Sequence, residues 1–221
     1  IRADDKSKAY GAAFPALTAS FSGFVNGDTA ASLDHPVSVS TSAVLASSVG
    51  SYPITVGEAS DANYTIAFEP GTLTVNPAAL SVTPKNITRR LGEPNPALTG
   101  IIRGLKNSDP ISAVYSTTAT EESPLGTYPI TTVLADPGQK LPNYNLTIED
   151  ATLIVHLETT YTGVAQDGYV SGAVVFFDAN KNGAMNASEP FTRTDSRGAF
   201  DLIVLVENFD TNANGVLDPA E

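Results

Sequence analysis

The sequence predicts an all-β protein made of tandem small antiparallel β modules: two homologous repeats and a third, β-sandwich-like module built around a polar loop. Three observations predict it. Apolar and polar residues alternate along short runs, the gaps between runs are rich in Gly, Pro, Asn and Asp, and the pattern of residues 1–77 returns over residues 78–157. Residues 158–221 carry a different pattern and form the third module.

Composition sets the outer bounds. The chain has 221 residues with 15 Pro, 17 Gly and only 12 Lys and Arg, a balance that suits strands and turns better than surface helices. Its net charge of -12 leaves no basic stripe to neutralise phosphates, which excludes nucleic acid as a partner and makes cations the natural ones. Residues 158–221 alone hold ten Asp and Glu against three Lys and Arg. With no cysteine, neither disulfides nor thiolate zinc sites can hold the fold. No apolar run reaches the roughly 18 residues of a membrane helix, so no membrane insertion is expected in this segment. Ile1 as first residue is read as a cut from a longer protein.

In chain order, alternation marks strands at Val37 and Val39, Ile54 and Val56, Tyr64, Ile66 and Phe68, then Leu73 and Val75. Asn26-Gly27, Pro70-Gly71 and Pro137-Gly138 supply turns, so the strands read as an antiparallel meander or sandwich. Ala30 to Leu33 or Ala43 to Ser47 has room for one helical turn. The second copy echoes the first: Phe14-Pro-Ala-Leu-Thr18 returns as Asn95-Pro-Ala-Leu-Thr99, Gly23 and Asp28 as Gly104 and Asp109. Tyr52-Pro-Ile-Thr55 returns as Tyr128-Pro-Ile-Thr131, and Asn63-Tyr64 as Asn143-Tyr144. Offsets of 81, 76 and 80 keep the order with small changes of loop length. The joints fall at Asn76-Pro77 and near His156 to Thr159; both are short and predict a semi-rigid stack of modules. Tyr169 to Phe177 then reads as a strand, and Thr194 to Leu202 as a turn leading into another.

Between those strands lies the stretch whose spacing specifies a chemistry. Asp178, Asn180, Asn182, Asn186 and Glu189 stand at positions 1, 3, 5, 9 and 12 of a calcium loop, with Gly183 at position 6 and the Ala184 carbonyl at position 7. A hard cation takes six to eight oxygens about 2.3–2.6 Å away, and alternate side chains of a tight turn can converge on it. The pattern recurs 32 residues on, with Asp210, Asn212, Asn214, Asp218 and Glu221 as side-chain ligands and Val216 offering its carbonyl. One or two Ca2+ ions are therefore expected. The flanking residues are β-branched and aromatic, so the first loop belongs to a β module and not to an EF-hand helix pair. Asp195 could reach that loop or cap a turn, and the turn is the preferred reading.

The copies at 1–77 and 78–157 resemble the MBG repeats of large bacterial surface and secreted proteins, through Tyr10-Gly11, Pro15-Ala-Leu-Thr18, Gly50, Tyr52-Pro-Ile, Asn63-Tyr64 and Gly71-Thr-Leu-Thr-Val75. In the second copy Leu91 replaces Tyr10 and Ala151 replaces Gly71. The resemblance implies an all-β module of a repetitive adhesin stalk. Residues Gly172 to Gly183, Glu189-Pro190 and Asp195 to Phe200 look like the SdrD B-like calcium modules of bacterial adhesins, which implies that Asp178, Asn180, Asn182 and Glu189 are ligands.

Other candidate chemistry is weak. His35 and His156 have no nucleophile beside them, and Glu121-Glu122 and Glu58 with Asp61 lie on turn-like segments. Tyr10, Tyr52, Tyr64, Tyr128 and Tyr144 could line a sugar-binding face, but alternating strands favour packing. The Asn-x-Ser/Thr sequon at Asn186 would place a glycan on the metal loop, which argues against a glycosylated protein. The sequence is thus read as a non-enzymatic, extracellular stalk or spacer of a bacterial adhesin or large secreted surface protein, rigidified by calcium. Its partners would be calcium, neighbouring modules of the same polypeptide, and a host or surface glycan or protein. The rivals are a carbohydrate- or host-binding module and an accessory region of a secreted multidomain hydrolase.

Overall fold

A computed structural model describes residues 1–165 and 170–210. The all-β expectation holds, with three single-turn 3-10 segments as the only helical elements among the described residues. The first repeat forms β1 (Arg2–Ala3), β2 (Lys6–Ala9), β3 (Ala19–Ser20), β4 (Ser38–Thr41), β5 (Gly50–Gly57) and β6 (Gly71–Asn76). The second forms β7 (Ala78–Pro84), β8 (Ile87–Arg90), β9 (Gly100–Arg103), β10 (Ser112–Thr117), β11 (Gly126–Ala135), β12 (Tyr144–Ile148) and β13 (Ala151–His156). Beyond them lie β14 (Glu158–Val164), β15 (Val174–Phe176), β16 (Phe191–Arg193) and β17 (Ala199–Leu205). No described helix is long and apolar enough to cross a membrane.

The duplication is structural as well as sequential. The first repeat makes a four-stranded sheet in the order β2-β6-β5-β4, and the second makes its counterpart, β8-β13-β11-β10. Registers coincide. Gly50 faces Val75 as Gly126 faces Val155, and Ile54 faces Gly71 as Ile130 faces Ala151. Local bonds repeat too: Thr41 Oγ1 donates to Pro53 O at 2.8 Å and Thr117 Oγ1 to Pro129 O at 2.9 Å. Each copy also buries one cation at the same place. Lys8 donates to Leu45 O at 3.0 Å with its ammonium over Phe14, and Arg89 bonds Asn95 Oδ1, Arg90 O and Thr120 O. Burial lowers the pKa of Lys8, since the charged form loses its water.

The sheets are not wholly antiparallel. β2 runs parallel to β6, β8 to β13, and β7 to β12. Alternation has period two in either direction, so the sequence pattern carries no information on polarity; strands more than sixty residues apart can be joined either way. A second difference lies at Tyr64, Ile66 and Phe68. Residues 64–68 form no strand, although their counterparts form β12. Tyr144–Ile148 pairs residue by residue with Ala78–Val82, whereas β1, the counterpart of the end of β7, has two residues and bridges Glu69 from Arg2, with the Ile1 ammonium donating to Ala67 O at 2.8 Å. The expected helical turn appears at Ala30–Ser32, where Thr29 caps the N-terminus and Ser32 returns a bond to the Thr29 amide.

The described chain packs as two compact units. One holds Ile1–Pro84, Gly100–Tyr115 and Thr132–Glu149; the other holds Lys85–Thr99, Ser116–Thr131 and the described residues from Asp150 onward. The first unit therefore contains the first repeat together with β7, β9 and β12 of the second. Its core clusters Tyr10, Val75, Ala78, Leu80, Ile111 and Tyr144, residues drawn from both repeats. Tyr10, 1% exposed, crosses Tyr144 edge to face at a centroid distance of 5.5 Å. Two phenols buried there need an acceptor. Asp109, itself buried, takes Tyr10 Oη at 3.0 Å and Tyr144 Oη at 2.6 Å. Gly11 completes the approach. It is left-handed (φ 68°), and a Cβ there would lie 2.6 Å from Cβ of Lys106, so only glycine fits without displacing that side chain.

In the other unit β14 pairs antiparallel with β17 from Glu158↔Leu205 to Val164↔Ala199, and β15 pairs with β16. The strand expected over Tyr169 to Phe177 is shorter than that. Tyr169 lies outside the described residues, Ser171-Gly172 is a turn with Gly172 at φ 75°, and the strand begins at Val174. Asp195 caps the turn into β17, its Oδ1 accepting the Arg197 and Ala199 amides at 2.7 and 2.9 Å.

Burial and the Asp109 hydrogen bond push Tyr144 from 10.0 up to about 12, and burial raises Tyr10 as well. The unfolded phenol ionises near pH 10 while the folded one resists, so this stabilisation is complete below pH 10 and disappears as the pH climbs to about 12. Urea unfolding should show stability falling through that window, with a shallower fall in Tyr144→Phe. At neutral pH, Tyr10→Phe should cost about 1–3 kcal/mol, because the buried carboxylate loses one donor.

Candidate functional site

The first calcium-type loop is the connection between β15 and β16. Phe177 N donates to Pro190 O at 2.9 Å and closes its base, so residues 178–189 project from a hairpin flanked by strands, as the apolar flanks predict. Aromatic packing steadies that base: Phe177 stacks on Tyr161 at 6.3 Å and meets Phe209 at 5.2 Å. Thr194, 5% exposed, ties the far end of the hairpin to the turn at Ser171-Gly172 by accepting from Ala173 N and donating to Val170 O.

Within the loop the oxygen side chains turn inward onto the backbone. Asp178 Oδ1 and Oδ2 accept from the Asn182 and Gly183 amides at 3.1 and 2.7 Å, Asn180 Oδ1 from Asn182 N at 3.1 Å, and Asn182 Oδ1 from Ala184 N at 2.8 Å. Lys181 (φ 58°) and Gly183 (φ 74°) take the left-handed conformations that curl the chain. The Ala184 carbonyl accepts from Asn186 Nδ2 at 3.4 Å. Glu189 differs from the rest. It is 5% exposed; Oε2 accepts from Asn186 N at 2.9 Å, while Oε1 is buried without a hydrogen-bond partner. A buried carboxylate oxygen with no donor is costly, and a cation on the loop side would satisfy it. Asp178, Asn180, Asn182, the Ala184 carbonyl, Asn186 and Glu189 are the residues that would hold a hard cation there, with Glu189 Oε1 as the oxygen still lacking a donor. Only two of these are carboxylates, and no group of three His, Cys, Asp or Glu able to hold a metal occurs among the described residues.

The second loop is only touched. Asp210 N donates to Val206 O at 2.8 Å, and Asn212, Asn214, Val216, Asp218 and Glu221 lie outside the described residues.

A second constellation occurs twice in the first compact unit. In the second repeat Tyr144 Oη donates to Asp109 and accepts from Lys106 N at 2.9 Å; in the first, Tyr64 Oη donates to Asp28 Oδ2 at 2.7 Å and accepts from Val25 N at 3.2 Å. The family model of the MBG domain (YGX type) matches the chain twice, over residues 1–74 and 80–154. The chain belongs to the MBG domain family. No curated protein and no solved structure matches it.

MBG-type domains are associated with bacterial surface proteins. The Tyr-Gly pair of the first MBG copy is Tyr10-Gly11, the pair buried against Asp109 and Lys106; in the second copy the corner is Leu91-Gly92, with Leu91 43% exposed. All five tyrosines weighed as a sugar platform have bonded hydroxyls: Tyr10 and Tyr144 on Asp109, Tyr64 on Asp28, Tyr52 on Ser48 O and Tyr128 on Pro124 O. Asp28 and Asp109 were visible in the sequence only as an echo. Their pairing with Tyr64 and Tyr144, echoed at nearly the same offset, was the signal that could have marked them.

In chelator, Glu189→Gln should melt no lower than the wild type and up to a few degrees higher, because an unpaired amide is cheaper to bury than an unpaired carboxylate. Differential scanning calorimetry without metal checks this.

Proposed function

We propose that the chain is a non-enzymatic, extracellular stalk or spacer segment of a bacterial adhesin or large secreted surface protein. Its modules would be residues 1–77, 78–157 and 158–221, the last stiffened by calcium in the manner of an SdrD B-like module. The observation that carries the spacer reading is the core shared by the two MBG copies. Tyr10 of one repeat is buried on Asp109 and Tyr144 of the next, so the joint at Pro77 is backed by packing as well as by a short linker. Such an arrangement supplies length and stiffness and asks for no reacting group.

Calcium enters through Glu189 Oε1. Without a cation the Asp178 and Glu189 oxygens have only loop amides, and Glu189 Oε1 has none. With Ca2+ bound, the energy of ligation becomes stability of the hairpin, and an affinity near the millimolar range of extracellular modules suits a loop rich in neutral Asn oxygens. Asp210 and the loop that follows it would hold a second ion.

Calorimetry with and without chelator tests the reading. Calcium at a hundredfold excess over its dissociation constant adds about 2.7 kcal/mol, which corresponds to a rise of several degrees for a module of this size. The rise should belong to the compact unit that includes the third module, leave the unit built on the first repeat unmoved, and be lost in Glu189→Gln. Identical melts in both conditions would remove calcium from the proposal.

A further inference from the structure

We propose that the Asp28–Tyr64 pair, with the hollow that Tyr64 lines, is a docking site for the Tyr-Gly corner of another MBG-type repeat, one that stands directly before this one in the same polypeptide. The precedent is inside the molecule. Tyr10 of the first repeat fills the Asp109–Tyr144 site of the second, and that site has a counterpart at the same offset in the first repeat. The counterparts match atom for atom: Tyr64 on Asp28 and on the Val25 backbone, as Tyr144 is on Asp109 and on the Lys106 backbone.

What differs is the filling. Asp109 and Tyr144 are buried, whereas Asp28 and Tyr64 are half-buried. Asp28 Oδ1, the counterpart of an oxygen that Tyr10 approaches in the second repeat, has no hydrogen-bond partner among the described residues. Tyr64, the partner of Asp28, lines a hollow of about 500 Å³ together with Phe21, Phe24 and Ile66 among others. Phe21 corresponds to Ile102, which packs against the Tyr10 core in the second repeat. Phe24 presents its ring edge to face with Tyr64 at 5.7 Å, so the wall is aromatic and suited to a phenol.

The strand pairing of the second repeat shows where such an occupant would lie. Tyr144–Thr147 is held as a strand by Ala78–Ser81, the last residues before the 81-residue period closes, while residues 64–67 form no strand. The segment that would hold them is the Ala78–Ser81 equivalent of a preceding repeat. One neighbour of the same kind would thus supply both the buried hydroxyl for Asp28 and the strand for Tyr64–Ala67. The inference uses the tandem-module reading but not the metal loop, so chelation and the following experiment can fail independently.

The test is a chain in which residues 1–81 are placed ahead of Ile1, which repeats the natural spacing because Ile1 corresponds to Val82. Amide hydrogen exchange is followed at Val25 and Asp28 and over residues 64–67. The extension should slow exchange there about tenfold or more. Replacing Tyr10 of the added copy by Leu, the residue that the second repeat carries at Leu91, should return Val25 and Asp28 to the rates of the original chain, and Tyr10→Phe should leave partial protection. Unchanged rates at Val25 and Asp28 in an extended chain whose added β5 and β6 are themselves protected would overturn the proposal. An added copy that shows no protection of its own would also count against it, since those 81 residues hold their structure when seated on a Tyr-Asp site. Tyr10→Leu at the existing joint gives the reference size of the effect, read at Lys106 and Asp109.

Discussion

A carboxylate buried between two phenols is the constraint on which the first compact unit depends. Tyr10 and Tyr144 can leave water because Asp109 accepts both hydroxyls, and the buried Asp109 side chain in turn has both phenols as donors. Each of the three makes burial of the others affordable. From that follow the left-handed Gly11 against Lys106, the edge-to-face rings, and the apolar shell of Val75, Leu80 and Ile111 around them. Removal of the carboxylate would leave two buried donors, and removal of a phenol would leave a half-satisfied charge.

The same chemistry explains why the repeat is not the unit of packing. A 75-residue β module has a small core, and each four-stranded sheet here contributes only a few large apolar side chains, such as Ile54 and Leu73 in the first. Sharing residues across a joint enlarges the buried surface without enlarging the module. In the third module the hairpin is held by polar bonds from Thr194 and by the aromatic group at Phe177.

Much of this was legible in the sequence because it is local. Alternation at Ile54 and Val56, turns at glycine, and the returning Tyr-Pro-Ile-Thr are properties of neighbouring residues, and the hairpin around Asp178 to Glu189 follows from its β-branched flanks. The parts that escaped are relations between distant segments. Whether Lys6–Ala9 lies along or against Gly71–Asn76 leaves no mark on either strand. That Tyr10 belongs to the core of the next repeat is a fact about two copies taken together, and either copy alone shows only an alternating tyrosine. Residues 64–68 read as a strand since their pattern is one; pairing requires a partner of sufficient length, which β1 does not provide. The buried Oε1 of Glu189 is likewise invisible in spacing, which names the ligand but not what already satisfies it.

The parallel closure of each copy has a mechanical side. In the first repeat the chain enters β2 at one end of the β2–β6 ladder and leaves β6 at the other, and β8 with β13 repeats the arrangement. Tension applied to the two ends of such a copy therefore acts along the ladder and strains its hydrogen bonds together, in shear, where an antiparallel pair with both free ends on one side would open bond by bond. A copy closed in this way resists extension along its ladder more than across it.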